Sequence, residues 1–75
     1  MLNGIEKKVL RKLGEVLLLR KEEIVELLKR ETDNPEETFR LVIRSLSDKG
    51  FIRYVYAGSP CYAITQRGLQ ALSIE

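Results

Sequence analysis

Arg40 and Arg44 stand one helical turn apart, with Thr38, Leu41 and Ser45 among them and Lys49 and Arg53 following. The chemistry open to such a set is recognition of a polyanion. A guanidinium donates in a planar fork that matches a phosphate or a guanine edge, a hydroxyl bonds phosphates or bases, and a leucine packs on a thymine methyl. At 100° per residue a helix through this segment turns Glu37, Leu41, Arg44 and Asp48 outward, flanked by Arg40, Thr38 and Ser45. Glu37 and Asp48 oppose an approaching phosphate. On a merely solvated face Arg40 and Arg44 would pair with Glu36 and Asp48 at i,i+4 spacing. Such a pair contributes only about 0.3 to 0.5 kcal/mol and leaves either arginine able to switch to a phosphate.

Other chemistries fare worse. The chain has no histidine, so neither a nucleophile triad nor the usual zinc-ligand sets can be assembled, and it has no glycine-rich phosphate loop. Glu22, Glu23 and Glu26 fall at a helix start, where the helix dipole explains carboxylates without catalysis. No enzyme, cofactor or metal is expected. Cys61 is the one cysteine, which excludes an internal disulfide. Pro60 and Tyr62 beside it supply no positive charge, so a packed, passive thiol is expected, with a disulfide between subunits still open. Tyr54, Tyr56 and Tyr62 could stack on unpaired bases, but their alternation favours core and cross-strand packing.

Thirteen lysines and arginines against eleven acidic residues leave a net charge of +2, so affinity for nucleic acid has to come from placement. Lys7, Lys8, Arg11 and Lys12 cluster near the N-terminus, and Lys29 and Arg30 form a second pair. The first cluster reads as the solvent face of an amphipathic helix that could touch DNA backbone at the flanks.

The elements that would position these groups follow from spacing. Leu2, Ile5, Val9, Leu13 and Val16 recur every three or four residues and predict a first helix, widened by Leu10 and Leu17. That width suits either a deeply buried helix or a second subunit. A short strand over Leu18 to Arg20 and a second helix carrying Ile24, Leu27 and Leu28 come next, the latter opened by Glu22 and Glu23. Asn34 as cap, Pro35 at the first position and Glu37 at the third start a helix that runs to about Lys49, buries Phe39, Val42, Ile43 and Leu46, and stops at Gly50. Phe51 to Tyr56 and Cys61 to Ile64 read as a hairpin around Ala57-Gly58-Ser59-Pro60. Thr65 caps a final helix holding Leu69 and Leu72, in which Gly68 costs about 1 kcal/mol relative to alanine.

From Glu22 onward this order resembles MarR-like and related winged-helix transcription regulators. Thr38 to Arg53 looks like their recognition helix and first wing strand, and Ile64-Thr65-Gln66-Arg67-Gly68 is similar to the signature after their wing. The resemblance implies an α+β, mostly helical winged helix-turn-helix over residues 1–75: a three-helix core, a short β-hairpin wing and a C-terminal helix. It implies that helix 3 enters the major groove of double-stranded DNA, with contacts from Thr38, Arg40, Leu41, Arg44, Ser45, Lys49, Arg53, Ser59 and Arg67. The turn 57–60 carries no lysine or arginine, so reading of the minor groove by its tip is not expected, and Arg53 and Arg67 are the expected phosphate contacts.

The function expected is that of a small DNA-binding transcriptional regulator, a homodimer joined through helix 1 and the C-terminal helix. Seventy-five residues make one small domain that leaves roughly 40% of the unfolded chain's surface exposed, so a second copy would add needed burial. The alternative is a winged-helix protein-interaction module without DNA binding, suggested by Leu41 among mixed charges and by the uncharged wing turn. The longest apolar run, Val16 to Leu19, is too short for a bilayer, and no signal-peptide core precedes it, so the expected location is the cytoplasm.

Overall fold

The computed structural model describes residues 2–74. The first helix, α1 (Gly4–Val16), opens on a capping box in which Asn3 Oδ1 accepts from the Glu6 N–H at 2.8 Å and Glu6 Oε1 accepts from the Asn3 N–H at 3.0 Å. Leu2, Val9, Leu10 and Leu13 are buried and Ile5 packs beside them. The expected widening of the stripe is met at Leu10 and fails at Leu17. That residue is the left-handed end of the helix (φ 72°), its N–H bonded to the Leu13 carbonyl at 2.7 Å. Val16, expected on the buried stripe, is 45% exposed. A leucine in the left-handed region costs roughly 1–2 kcal/mol, a cost glycine would avoid.

Strand β1 (Leu18–Arg20) leads directly into α2 (Lys21–Leu28). Glu23 accepts a hydrogen bond from the Arg20 backbone N–H at 2.8 Å, so the acidic first turn both caps the helix and complements its dipole. Helix α3 (Pro35–Asp48) begins at Pro35 as expected, but the expected side-chain cap is absent. Pro35 excludes the helical region for its predecessor; Asn34 sits at φ −122°, ψ 68°, and donates its N–H to Thr32 Oγ1 at 3.2 Å. Glu37, released from a capping role, pairs with Arg40.

At its far end α3 closes on a pair of reverse bonds, Phe51 N–H to the Leu46 carbonyl at 3.0 Å and Gly50 N–H to the Ser47 carbonyl at 2.9 Å. Gly50 has φ 76°, the conformation this closure needs. Strands β2 (Ile52–Tyr56) and β3 (Pro60–Ile64) form the hairpin, and α4 (Gln66–Ile74) follows. The antiparallel sheet has the order β1-β3-β2, so the last strand lies between the other two. Thr65 locks α4 to the end of α3: its hydroxyl donates to the Gly50 carbonyl at 2.6 Å and accepts from the Gly68 N–H at 3.1 Å. Of the chain's glycines Gly68 is the most closely approached, since a Cβ there would collide with the Phe51 carbonyl oxygen.

The core gathers Val9, Leu10 and Leu13 from α1, Ile24 and Leu28 from α2, Leu46 from α3, and Leu19 and Ile52 from the sheet. Each fully buried aliphatic side chain contributes about 1.5–3 kcal/mol of transfer free energy. Among the described residues, no helix is long and apolar enough to cross a membrane.

Candidate nucleic-acid interface

Helix α3 is anchored by Phe39, Val42 and Leu46, which leaves one long face outward. Arg40, Leu41, Arg44, Ser47 and Asp48 are exposed there, and Leu41 is 61% exposed, unusual for a leucine on an otherwise well-packed helix. In place of the i,i+4 pair with Glu36 that a merely solvated face would allow, Arg40 forms an i,i+3 pair, its Nη2 donating to Glu37 Oε1 at 2.7 Å. Arg44 has neither an ion-pair nor a hydrogen-bond partner among the described residues, so the alternative of an i,i+4 pair with Asp48 is not realised.

Thr38, Ser45 and Lys49 face inward more than the helical wheel suggests. Thr38 is half-buried, its hydroxyl 3.4 Å from that of Thr32. Lys49 Nζ donates to Ser45 Oγ at 2.7 Å and lies 3.8 Å from Glu6 Oε2. Glu6 is only 6% exposed. Burial pushes its carboxyl up, but the Ser45 hydroxyl, the Asn3 N–H and the Lys49 ammonium together hold it below the ordinary value. Sequence reasoning missed Glu6, because the capping pattern Asn3-x-x-Glu6 was the only signal and it announces a helix start rather than a buried charge.

The hairpin separates its two faces by residue parity. Ile52, Tyr54, Tyr62 and Leu19 share the core side, where Tyr62 packs edge-on against Phe39 (5.8 Å between centroids) and against Tyr54 (5.6 Å). The expected cross-strand packing is realised in the contact between Tyr54 and Tyr62, but the expected burial holds only for Tyr62, because Tyr54 is 57% exposed and Tyr56 68% exposed. Burial, then the neighbouring Tyr54, push the Tyr62 hydroxyl up. Arg53 has the opposite parity and pairs in register with Ala63, which puts it on the outer face of the sheet. Arg67 lies in the first turn of α4, its guanidinium alongside Gly50, and Ser59 sits in the hairpin turn with its carbonyl accepting from the Ala57 N–H. Arg40, Leu41 and Arg44 are therefore brought together on one surface, while Arg53 and Ser59 belong to a different one.

The chain matches no protein-family model, no curated protein and no solved structure. The class that the geometry defines is that of a compact α+β domain with an antiparallel three-stranded sheet and an exposed face on its third helix.

Proposed function

We propose that the chain is a winged helix that binds double-stranded DNA through α3 and acts as a small transcriptional regulator. The carrying observation is Arg44, exposed on the outward face of an otherwise anchored helix and without an intramolecular partner, one turn from the exposed Leu41. An α-helix is about 10–12 Å across with its side chains, which matches a major groove of about 12 Å. The element order α1-β1-α2-α3-β2-β3-α4 supports the same reading. In this reading Arg44 reaches a guanine edge or a phosphate, Leu41 packs against a thymine methyl, and Arg40 exchanges Glu37 for a phosphate at little cost. Arg67 and the basic residues of α1 add phosphate contacts at the flanks. A homodimer joined through α1 and α4 would place two α3 helices on half-sites about one helical turn apart.

Fluorescence anisotropy of the purified chain against random-sequence duplex DNA tests this reading. Micromolar or tighter binding at about 50 mM salt that falls steeply by about 200 mM is expected, because each phosphate contact releases counterions. Arg44→Glu abolishes that binding; retained affinity would remove α3 from the groove.

A second reading, a protein-interaction module, is favoured by the exposure of Leu41 and by a hairpin turn with no lysine or arginine. Absence of DNA binding by a folded chain would put it first, with the Leu41 surface as the contact.

A further inference from the structure

Asn3-Gly4 is the chain's one asparagine–glycine pair, and both residues are exposed. Glycine has no Cβ to shield its backbone nitrogen, and the space around Gly4 is open, with no heavy atom beyond its own turn within 4 Å of where a Cβ would stand. A chemistry follows from that pair which needs only water. The Gly4 nitrogen, once deprotonated, attacks Asn3 Cγ; the bond from Cγ to the side-chain amide nitrogen breaks, and ammonia leaves with a proton from water. A water molecule then opens the resulting five-membered imide at either carbonyl, leaving aspartate or iso-aspartate and one added negative charge. The other asparagine, Asn34, has no such route, because the nitrogen that follows it belongs to Pro35 and carries no proton.

The fold stands in the way of the first step. Closing the ring requires Asn3 Cβ and the Gly4 nitrogen to eclipse each other about the Cα–C bond, and at φ −81°, ψ 175° the two are staggered. Three bonds fix that conformation. The Asn3 carbonyl accepts from the Lys7 N–H at 2.9 Å, Oδ1 accepts from the Glu6 N–H at 2.8 Å, and the Asn3 N–H donates to Glu6 Oε1 at 3.0 Å. Bound in this way, Cγ cannot turn toward the nitrogen that would attack it. We infer that Asn3 is a site of hydrolytic deamidation whose reaction is gated by opening of the first turn of α1. The two products differ in consequence. Aspartate keeps an oxygen where the cap needs one. Iso-aspartate carries the main chain through the side-chain carbon, and the added methylene shifts the residue's N–H away from Glu6, the carboxylate that also faces Lys49 at 3.8 Å. Conversion to iso-aspartate thus loosens the tie between α1 and the end of α3. The inference is independent of DNA binding by α3.

Incubation of the purified chain at mildly alkaline pH, with peptide mapping by mass spectrometry, reads the reaction as an amide becoming an acid. In urea, conversion at Asn3 and none at Asn34 is expected. The folded chain converts at least about tenfold more slowly, since cap bonds of ordinary strength keep the open turn a minor population. Glu6→Ala removes half of the capping box and speeds conversion of the folded chain at least about threefold, leaving the rate in urea unchanged. Val42→Ala, a core truncation in α3, lowers stability without touching the cap and leaves the folded rate near the parent's. The separated iso-aspartate form melts below the parent and the aspartate form beside it. No conversion in urea, equal rates in folded and unfolded chains, no acceleration by Glu6→Ala, or equal acceleration by Val42→Ala overturns the inference. Equal melting of the two products overturns it as well, by removing the link to Glu6.

Discussion

Lys49 Nζ lies 3.8 Å from Glu6 Oε2, joining the C-terminal end of α3 to the first turn of α1 across 43 positions of sequence. Glu6 closes the capping box at Asn3 with Oε1 and faces Lys49 with Oε2, so one buried carboxylate both starts α1 and fixes the end of the helix proposed to read DNA.

Stability should follow the ionisation of Glu6. Its pKa is lower in the folded chain than in the unfolded one, so its contribution is present above the unfolded value and is lost as pH falls through the folded one. Glu6→Gln is expected to cost about 1.5–3 kcal/mol at neutral pH, the range for a hydrogen bond to a charged group. The difference from the parent chain shrinks as pH drops below about 4. Urea denaturation at a series of pH values measures it, and a difference independent of pH would refute the coupling.

Two helical glycines should respond oppositely to alanine. At Gly68 the added Cβ collides with a backbone oxygen, which cannot yield without moving Phe51 and the end of α3. The gain of about 1 kcal/mol in helix propensity is overwhelmed, and Gly68→Ala loses at least about 2 kcal/mol. At Gly14 the obstacle is the terminal Leu72 Cδ1 at 2.7 Å, a methyl that can rotate away, so Gly14→Ala is neutral to about 1 kcal/mol stabilising. Thermal melts of the two variants decide.

Thr65 carries two bonds that no other residue duplicates. Thr65→Val keeps the shape and removes both the Gly50 carbonyl's partner and the cap on Gly68 N–H, for an expected loss of about 1–3 kcal/mol. Hydrogen exchange localises the effect: loosening confined to α4 and the end of α3 is expected, and uniform loosening would contradict the junction's role.

Within the DNA-binding reading, Glu37 restrains Arg40 and repels phosphate. Glu37→Gln therefore tightens binding to duplex DNA about two- to fivefold at 50 mM salt, by freeing Arg40 and removing a negative charge. The gain shrinks at 200 mM. Anisotropy titration reads both; unchanged affinity would mean that the first turn of α3 stays clear of the backbone.

Local physics made most of the fold legible in the sequence. The spacing of Val9, Leu13, Phe39, Val42 and Leu46 marked the buried helix faces, Pro35 and Gly50 marked the limits of α3, and Ala57-Gly58-Ser59-Pro60 marked the hairpin turn, although Pro60 already belongs to β3, because periodicity, fixed φ and left-handed freedom belong to single residues and their neighbours. The outward positions of Arg40, Leu41 and Arg44 were legible for the same reason. Only the tertiary structure decided that Ser45 and Lys49 turn to a buried Glu6, that Arg53 sits with Leu18 and Ala63 on the outer sheet face, and that Gly68 is a glycine because Phe51 passes beside it. Those outcomes depend on which surfaces meet after the chain has folded back. A carboxylate's partner 43 residues away and a register between β1 and β3 leave no local signature.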